Sequence, residues 1–440
     1  MRRMAPMAAA RRSILSPSFM PLCLLLALGL RVAWVMSVDA RPVDDFSWYH
    51  ARAVDISQGL GLVDEGRPTA YWPAGYPMLL GSLYALFGAS VGVAQIANIV
   101  MSLATILMTW RIGSRMLGSE TAGRLAALLL ALWPNQIAYV SLTATEIPFS
   151  FVLMLGILLS LRPGAGAGAS LATGVVFGMA TMIRPQAALL PAFLIVWRGL
   201  FARSEHWSWR SLRGAAWLHL GLALTLVPWT VRNYQVFGGF VFVANSGGGN
   251  LLIGNHPQAT GGYGEVPGFP EVTDERAEDV LAARWATEYI VQHPGEALAR
   301  IPFKLWHLYG KDVEGIYWNE VAMGRGDASP RQRPLYVLKL AAQAFYMGVM
   351  ACALLSLVTL LRQSPPSQVD AAVHLTGWAV VAYFTLVFAV LFGSSRFHHP
   401  LAPWLGVYAA SWLAGLVGVA QNASPRPAPV EAVAGRGRLR

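Results

Sequence analysis

The chain has 440 residues, 55% of them hydrophobic and only 13% charged, with a formal net charge of +10. A soluble domain carries roughly 25% charged residues, so this composition excludes a water-soluble globular protein. The basic residues sit in short segments between long apolar runs, which argues against a nucleic-acid partner even with the basic stretch Arg436–Arg440.

Ten apolar runs are predicted to cross the membrane: Phe19–Val38, Val91–Trp110, Leu125–Val140, Phe149–Leu161, Ala169–Ile183, Gln186–Leu200, Gly214–Val231, Tyr336–Leu361, Val373–Phe392 and Leu401–Val419. Lipid cannot satisfy backbone N–H and C=O groups, so runs of this kind must be helical. The first run follows Arg11-Arg12 but is too long for a signal peptide and lacks a small-residue cleavage site, so it reads as an uncleaved span.

An outer loop, 39–90, comes next. Phe46, Tyr49, Ala53 and Ile56 recur at helical spacing and predict a short amphipathic helix in the interface over Phe46–Ser57. Asp44 and Asp45 stand at its N-terminus, where an acid either caps the helix or, facing a membrane-surface site, serves as a general base. Gly59-Leu-Gly61 and the Pro-, Gly- and aromatic-rich stretch Gly66–Pro77 predict a rigid loop holding Tyr71, Trp72 and Tyr76 at headgroup depth. Met78–Phe87 reads as a second interfacial helix.

Further along, Ala169–Ile183 and Gln186–Leu200 predict a tight helical hairpin turning at Arg184-Pro185, with one broken re-entrant segment as the alternative. The second outer loop, 232–334, starts at Arg232-Asn233. Its Gly247–Gly249 run either lets backbone N–H groups approach a polar ligand or makes a flexible turn. Thr273–Gln292, ended by His293-Pro294, and Gly295–Tyr309, which carries Lys304, predict two surface helices. The whole reads as one all-α polytopic domain over 1–420, with a disordered cytoplasmic tail over 421–440.

With ten spans and the N-terminus inside, segments 1–17, 111–124, 162–168, 198–213, 362–371 and 421–440 face the cytoplasm. They hold 17 of the 33 Lys and Arg residues but only four of the 23 acids, the positive-inside pattern. Both large loops then lie outside, on the periplasmic face if the membrane is a bacterial plasma membrane. Cys23 and Cys352 fall inside predicted spans and read as packing residues without a disulfide. Four cations recur at outer span boundaries: Arg184, Arg232, Lys304 and Arg396. Charges at this depth need a partner or a task, and together they suit the phosphate of a lipid.

The motifs resemble those of glycosyltransferase family 39, whose GT-C fold members include protein O-mannosyltransferases and the lipid A aminoarabinose transferase. The likeness runs from Asp45-x-x-x-Tyr49 through Gly59-x-Gly61 and Pro68-Thr-Ala-x-x-Pro73-x-Gly-Tyr76-Pro77 to Thr145-Glu146 and Ile183-Arg184-Pro185. It continues at Pro228-Trp229-x-x-Arg232-Asn233, at Asn250 with Gly254-Asn255, and at Arg396-Phe-His398-His-Pro400. In that family the acid opening the first outer loop is the catalytic base. The spacing to Tyr49 selects Asp45, but the family commonly has Glu after its Asp, whereas here Asp44 precedes Asp45, so both acids stay candidates.

The resemblance implies a sugar carried on a polyprenyl phosphate, passed with inversion to a hydroxyl of a glycan, lipid or protein acceptor. It assigns substrate contacts to Tyr49, Tyr71, Tyr76, Glu146, Arg184, Arg232, Asn233, Asn250, Lys304, Arg396 and His398. No cluster demands a metal, although Asp44, Asp45 and Glu146 are able to share a divalent ion. Membrane lipids are the other expected partners. The alternatives are a flippase or transporter of lipid-linked glycans, which should show charges or breaks deep in its spans, and a glycan ligase.

Overall fold

The computed structural model describes residues 14–162, 164–201, 209–325, 335–362 and 371–416. The expectations for 421–440 and for Arg11-Arg12, and the parts of the expected loops at 202–208, 326–334 and 363–370, lie outside them.

The first described long helix is α1 (Phe19–Ser37), followed by the outer-loop helices α2 (Asp44–Ser57) and α3 (Gly75–Phe87). A minimal antiparallel hairpin, β1 (Val63–Asp64) with β2 (Arg67–Pro68), separates those two. Next come α4 (Val91–Leu117), α5 (Glu120–Leu132), α6 (Pro134–Ala138), a 3₁₀ turn over Tyr139–Ser141, α7 (Glu146–Ser160) and α8 (Ala167–Ile183). After a 3₁₀ turn at Pro185–Ala187 follow α9 (Leu190–Phe201) and α10 (Trp209–Phe237). The second outer loop forms α11 (Gly247–Gly254), α12 (Glu275–Gln292), α13 (Pro294–Ala299), α14 (Ile301–Tyr309) and α15 (Glu314–Ala322). The chain then continues as α16 (Tyr336–Arg362), α17 (Ala371–His374), α18 (Thr376–Val390), a 3₁₀ turn over Ser395–Leu401 and α19 (Ala402–Leu416).

This is an all-α polytopic membrane protein. Among the described residues, four helices are long and apolar enough to span a bilayer alone: Phe19–Ser37, Val91–Leu117, Ser211–Phe237 and Tyr336–Leu360. Several of the other expected spans are shorter helices, so the count of ten is not fixed by length. The expected run Leu125–Val140 is broken at Trp133-Pro134. Proline has no N–H to donate and forces its predecessor out of the helical region, and Trp133 is extended, at φ −68° and ψ 111°. The segment Pro134–Ser141 then meets Glu146–Ser160 at a 115° bend. That bend brings Glu146 to the start of α7.

Arg31, fully buried on α1, stabilises the same break. It donates to Ser102 Oγ at 2.7 Å and to the carbonyls of Ala131 and Leu130 at 3.1 and 3.4 Å. Those carbonyls lie in the last turn of α5, where Leu130 otherwise accepts only a long 3.4 Å bond from the Trp133 N–H.

The hairpin expected across Arg184-Pro185 does not form as a packed pair. Helix α8 lies instead along α10, and α9 packs on α17 and α18. Glycines explain the choice: a Cβ on Gly174 would stand 1.8 Å from the Leu218 carbonyl oxygen, and one on Gly221 would stand 2.1 Å from that of Leu171. Small residues let membrane helices approach backbone to backbone.

The glycine run is neither an open ligand loop nor a turn. Gly247 starts α11, and the Gly248 N–H donates to Asp279 Oδ1 at 2.6 Å. Helix α12 matches its expected position, with Asp274 capping it by accepting from Ala277 N at 2.7 Å. The helix expected over Gly295–Tyr309 divides at Arg300 into α13 and α14.

Candidate active site

Helix α2 starts through an unusual turn. Val43 is extended and Asp44 is left-handed, at φ +51°, one of two non-glycine residues with positive φ among those described. Asp tolerates this region better than most side chains because it is short and polar. The turn leaves Asp44 exposed while the neighbouring Asp45 side chain is 17% exposed. The two acids that the sequence leaves equivalent are thereby separated.

Asp45 meets Arg396, which comes from the 3₁₀ turn between α18 and α19. Arg396 Nη2 donates to Asp45 Oδ2 at 2.9 Å, and Nη1 reaches Oδ1 at 3.3 Å. Its Nε donates at 2.8 Å to Oε1 of Glu146, which is wholly buried. The same Glu146 oxygen lies 2.9 Å from Arg184 Nη2 in a second ion pair. Arg184 also donates from Nε and Nη2 to Thr145 Oγ1, at 3.1 and 2.8 Å. Two carboxylates and two guanidiniums therefore alternate and cancel, which is how a low-dielectric site tolerates four charges. Aromatic faces complete the cage: the Arg396 guanidinium lies 4.9 Å from the Phe46 ring centre and 5.7 Å from that of Trp318.

Burial pushes the Asp45 carboxyl above the ordinary carboxylate range, and Arg396 only partly offsets that rise. Arg396 shows the reverse balance: burial opposes its charge, but Glu146 and Asp45 hold it well above its usual value. Oε2 of Glu146 is buried and finds no donor among the described residues. A guanidinium has five N–H groups. The contacts described for Arg396 use one each from Nε, Nη1 and Nη2, which leaves two.

Tyr49, buried on α2, faces Tyr76 at 5.5 Å and Trp72 at 5.8 Å between ring centres, and Tyr71 packs on Trp72 at 5.2 Å. The first-loop aromatics thus gather beside Asp45. The Tyr76 hydroxyl is buried without a described partner.

The remaining expected contacts lie in ties between elements. Arg232 donates to the carbonyls of Thr69 and Leu62 at 3.1 and 3.4 Å and stacks 4.7 Å from Trp229, holding the first loop on α10. Asn233 donates to Val241 and Val243 carbonyls at 3.4 Å. Lys304 is buried and donates at 2.9 Å to both Asn255 Oδ1 and the Val390 carbonyl, and burial lowers its pKa to about 8. Asn250 is half-buried on α11. His398 is fully buried, 3.0 Å from Asp312 Oδ1 and 2.5 Å from the Leu308 carbonyl. Asp312 itself accepts from Trp133 and Asn135, both at 2.5 Å.

Sequence reasoning did not single out His399. Its Nδ1 lies 3.1 Å from Ser150 Oγ, its Nε2 lacks a described partner, and burial drops its pKa to about 3, so the ring is neutral. It also missed Glu275, which accepts from the Thr69 hydroxyl and from Ala70 N at 3.0 Å and so joins the two outer loops. His399 lies within the Arg396–Pro400 motif and Glu275 in the acidic first turn of α12, but neither pattern tells what the side chain faces.

The expectation that Asp44, Asp45 and Glu146 share a divalent ion does not fit this arrangement. Asp44 is exposed, and the Arg396 guanidinium joins the other two. No group of three His, Cys, Asp or Glu side chains suited to a metal ion occurs among the described residues.

Residues 72–231 match the family model described as dolichyl-phosphate-mannose-protein mannosyltransferase. The matched segment contains Glu146 and Arg184 but neither Asp45 nor Arg396. Among solved structures, the chain is similar to the archaeal oligosaccharyltransferase AglB from Archaeoglobus fulgidus in complex with an inhibitory peptide and a dolichol-phosphate. That likeness has a TM-score of 0.56 at 14% identity and covers 91% of this chain and 50% of that one. A second structure of the Archaeoglobus fulgidus oligosaccharyltransferase, with Zn and sulfate, gives 0.55 at 16% identity over 91% of this chain and 49% of that one. The chain has the GT-C fold. It spans about half the length of the archaeal enzymes it matches. ArnT from Cupriavidus metallidurans bound to undecaprenyl phosphate covers 92% of this chain and 77% of its own at 17% identity, with a TM-score of 0.43, too low to carry weight. No curated protein matches the chain by sequence. In this GT-C chain the four-charge cluster joins helices α2 and α7 to the turns after α8 and α18, so it forms only when the whole bundle closes.

Proposed function

We propose that this protein is a membrane glycosyltransferase that moves a sugar from a polyprenyl-phosphate donor to an acceptor hydroxyl, inverting the anomeric centre, with Asp45 as general base. The observation that carries the reading is the raised, half-enclosed Asp45 carboxylate held against Arg396 at the edge of a membrane bundle. An ordinary carboxylate is a weak base at neutral pH, and a raised pKa brings it nearer the matching condition for proton transfer. Asp45 takes the proton from the acceptor hydroxyl as its oxygen bonds to the anomeric carbon. The bond from that carbon to the phosphate oxygen breaks, and the lipid phosphate leaves with the electron pair.

The leaving phosphate needs positive charge rather than a proton. Arg396, with two N–H groups left over, is placed to supply it, and Arg184 stands behind it through Glu146. The positive-inside pattern supports the outer face of the membrane for this site, which is the periplasmic face if that membrane is a bacterial plasma membrane. The dolichol-phosphate bound by the archaeal relative supports a lipid-phosphate donor, and its inhibitory peptide supports a protein among the acceptor classes.

The test is transfer from a polyprenyl-phosphate-linked sugar in membranes carrying the wild type or the separate variants Asp45→Asn and Asp44→Asn. Full activity in both normally folded variants sinks the base assignment. Movement of lipid-linked glycan without any transfer product points to a transporter.

A further inference from the structure

A cavity of about 270 Å³ opens on the outer-loop side of the Ser395–Leu401 turn. Its wall presents Tyr263, Trp306, His307, Lys311, Glu314 and Ser394. We propose that this cavity holds a single sugar ring. The inference rests on the reading of the chain as a sugar transferase and names where one saccharide sits.

Size is the first argument. Sites for drug-sized ligands run to roughly 300–1,000 Å³, so this cavity suits one ring better than a lipid chain or a peptide. The second is the mixture of surfaces. A pyranose has one apolar C–H face and a rim of hydroxyls. Trp306 and Tyr263 are 70% and 78% exposed, far more than large aromatics need to be, and offer flat apolar faces. Lys311 and Ser394 can donate to hydroxyl oxygens. Glu314 can accept, although one of its oxygens already takes the Ser395 hydroxyl at 2.9 Å. The third is charge. One cation and one carboxylate on the same wall nearly cancel, which gives a phosphate little net field but suits a neutral hydroxylated ligand.

The cavity is also built, not incidental. The Gly393 N–H donates to the Gly261 carbonyl at 2.8 Å, fixing the loop that carries Tyr263. A Cβ on Gly393 would fall 1.8 Å from the Lys304 carbonyl oxygen, so only glycine lets these walls close. Ser395 is joined directly to Arg396, about 3.8 Å away between Cα atoms, which sets the cavity beside the Asp45 cluster. A ring seated there is the transferred sugar of the donor or a saccharide of the acceptor.

The probe is a panel of methyl glycosides of hexoses, pentoses and N-acetylhexosamines at millimolar concentration, read by saturation-transfer NMR on the full-length protein in detergent. At least one glycoside should give a signal that falls by more than half in Trp306→Ala and in Lys311→Met. Both side chains are exposed, and unchanged thermal unfolding establishes that the variants fold. In transfer assays Trp306→Ala should raise one KM several-fold with little change in kcat: the donor's if the ring is the transferred sugar, the acceptor's if it belongs to the acceptor. No signal from any glycoside with the wild type overturns the proposal. So do equal signals in both variants, which would make Trp306 an interfacial anchor. Asp45→Asn should keep the glycoside signal, so persistence of transfer in that variant defeats the base assignment without touching the sugar site.

Discussion

Arg396 and Asp45 stand 351 positions apart and meet in a two-oxygen contact, Nη2 to Oδ2 at 2.9 Å and Nη1 to Oδ1 at 3.3 Å. The contact is unequal, and Oδ1, on the longer arm, is the freer oxygen to receive a proton. Asp45→Asn should therefore lower transfer by roughly 10²–10⁴-fold, the usual contribution of a general base. Asp44→Asn, altering an exposed side chain, should retain most of the rate, as initial velocities in membranes will show.

The raised pKa of Asp45 fixes the sign of the pH dependence. The base works only when unprotonated, so kcat/KM should rise with pH to a plateau. Its midpoint should lie above the ordinary Asp value of about 3.9. Because Arg396 opposes the effect of burial, Arg396→Gln should move the midpoint higher still. A midpoint that falls or stays in this variant means Arg396 does not act on Asp45.

Glu146 is the buried counter-charge shared by two arginines. Removing one partner from a buried charge group typically costs about 3–5 kcal/mol. Glu146→Gln should accordingly lower the unfolding temperature in detergent as well as transfer. An unchanged Tm would show that Arg184 and Arg396 find other partners.

Lys304 ties α14 to Asn255 and to the end of α18. Lys304→Met should destabilise the fold by about 1–3 kcal/mol, since it leaves a buried carbonyl and amide oxygen unpaired. If Lys304 instead bound lipid phosphate, the donor's KM would rise with no change in Tm.

Close packing of α8 on α10 gives a fifth comparison. Gly174→Ala and Gly221→Ala should each lower Tm by pushing the backbones apart, whereas Gly168→Ala, with nothing within 4 Å of its added Cβ, should not. Circular dichroism melts of the three variants in one detergent check this.

Some of this was written in local sequence. Apolar runs in a chain with 13% charge require membrane helices, because lipid leaves backbone groups no other partner. Helical spacing placed α2, and the Asp274 cap placed α12, within a few residues, since both signals are local. The first-loop acids and the cations at span boundaries were visible as costly charges. Their division of labour was not. Asp44 and Asp45 differ by one left-handed turn, and Arg232 and Lys304 bind backbone and amide oxygens far away in sequence. Likewise the run Leu125–Val140 reads as one span, while the Trp133-Pro134 break turns the chain and delivers Glu146 to Arg396. Hydropathy reports how each segment meets lipid, one segment at a time. Which charges neutralise one another depends on distances of about 3 Å between segments hundreds of residues apart, and only the closed bundle sets those.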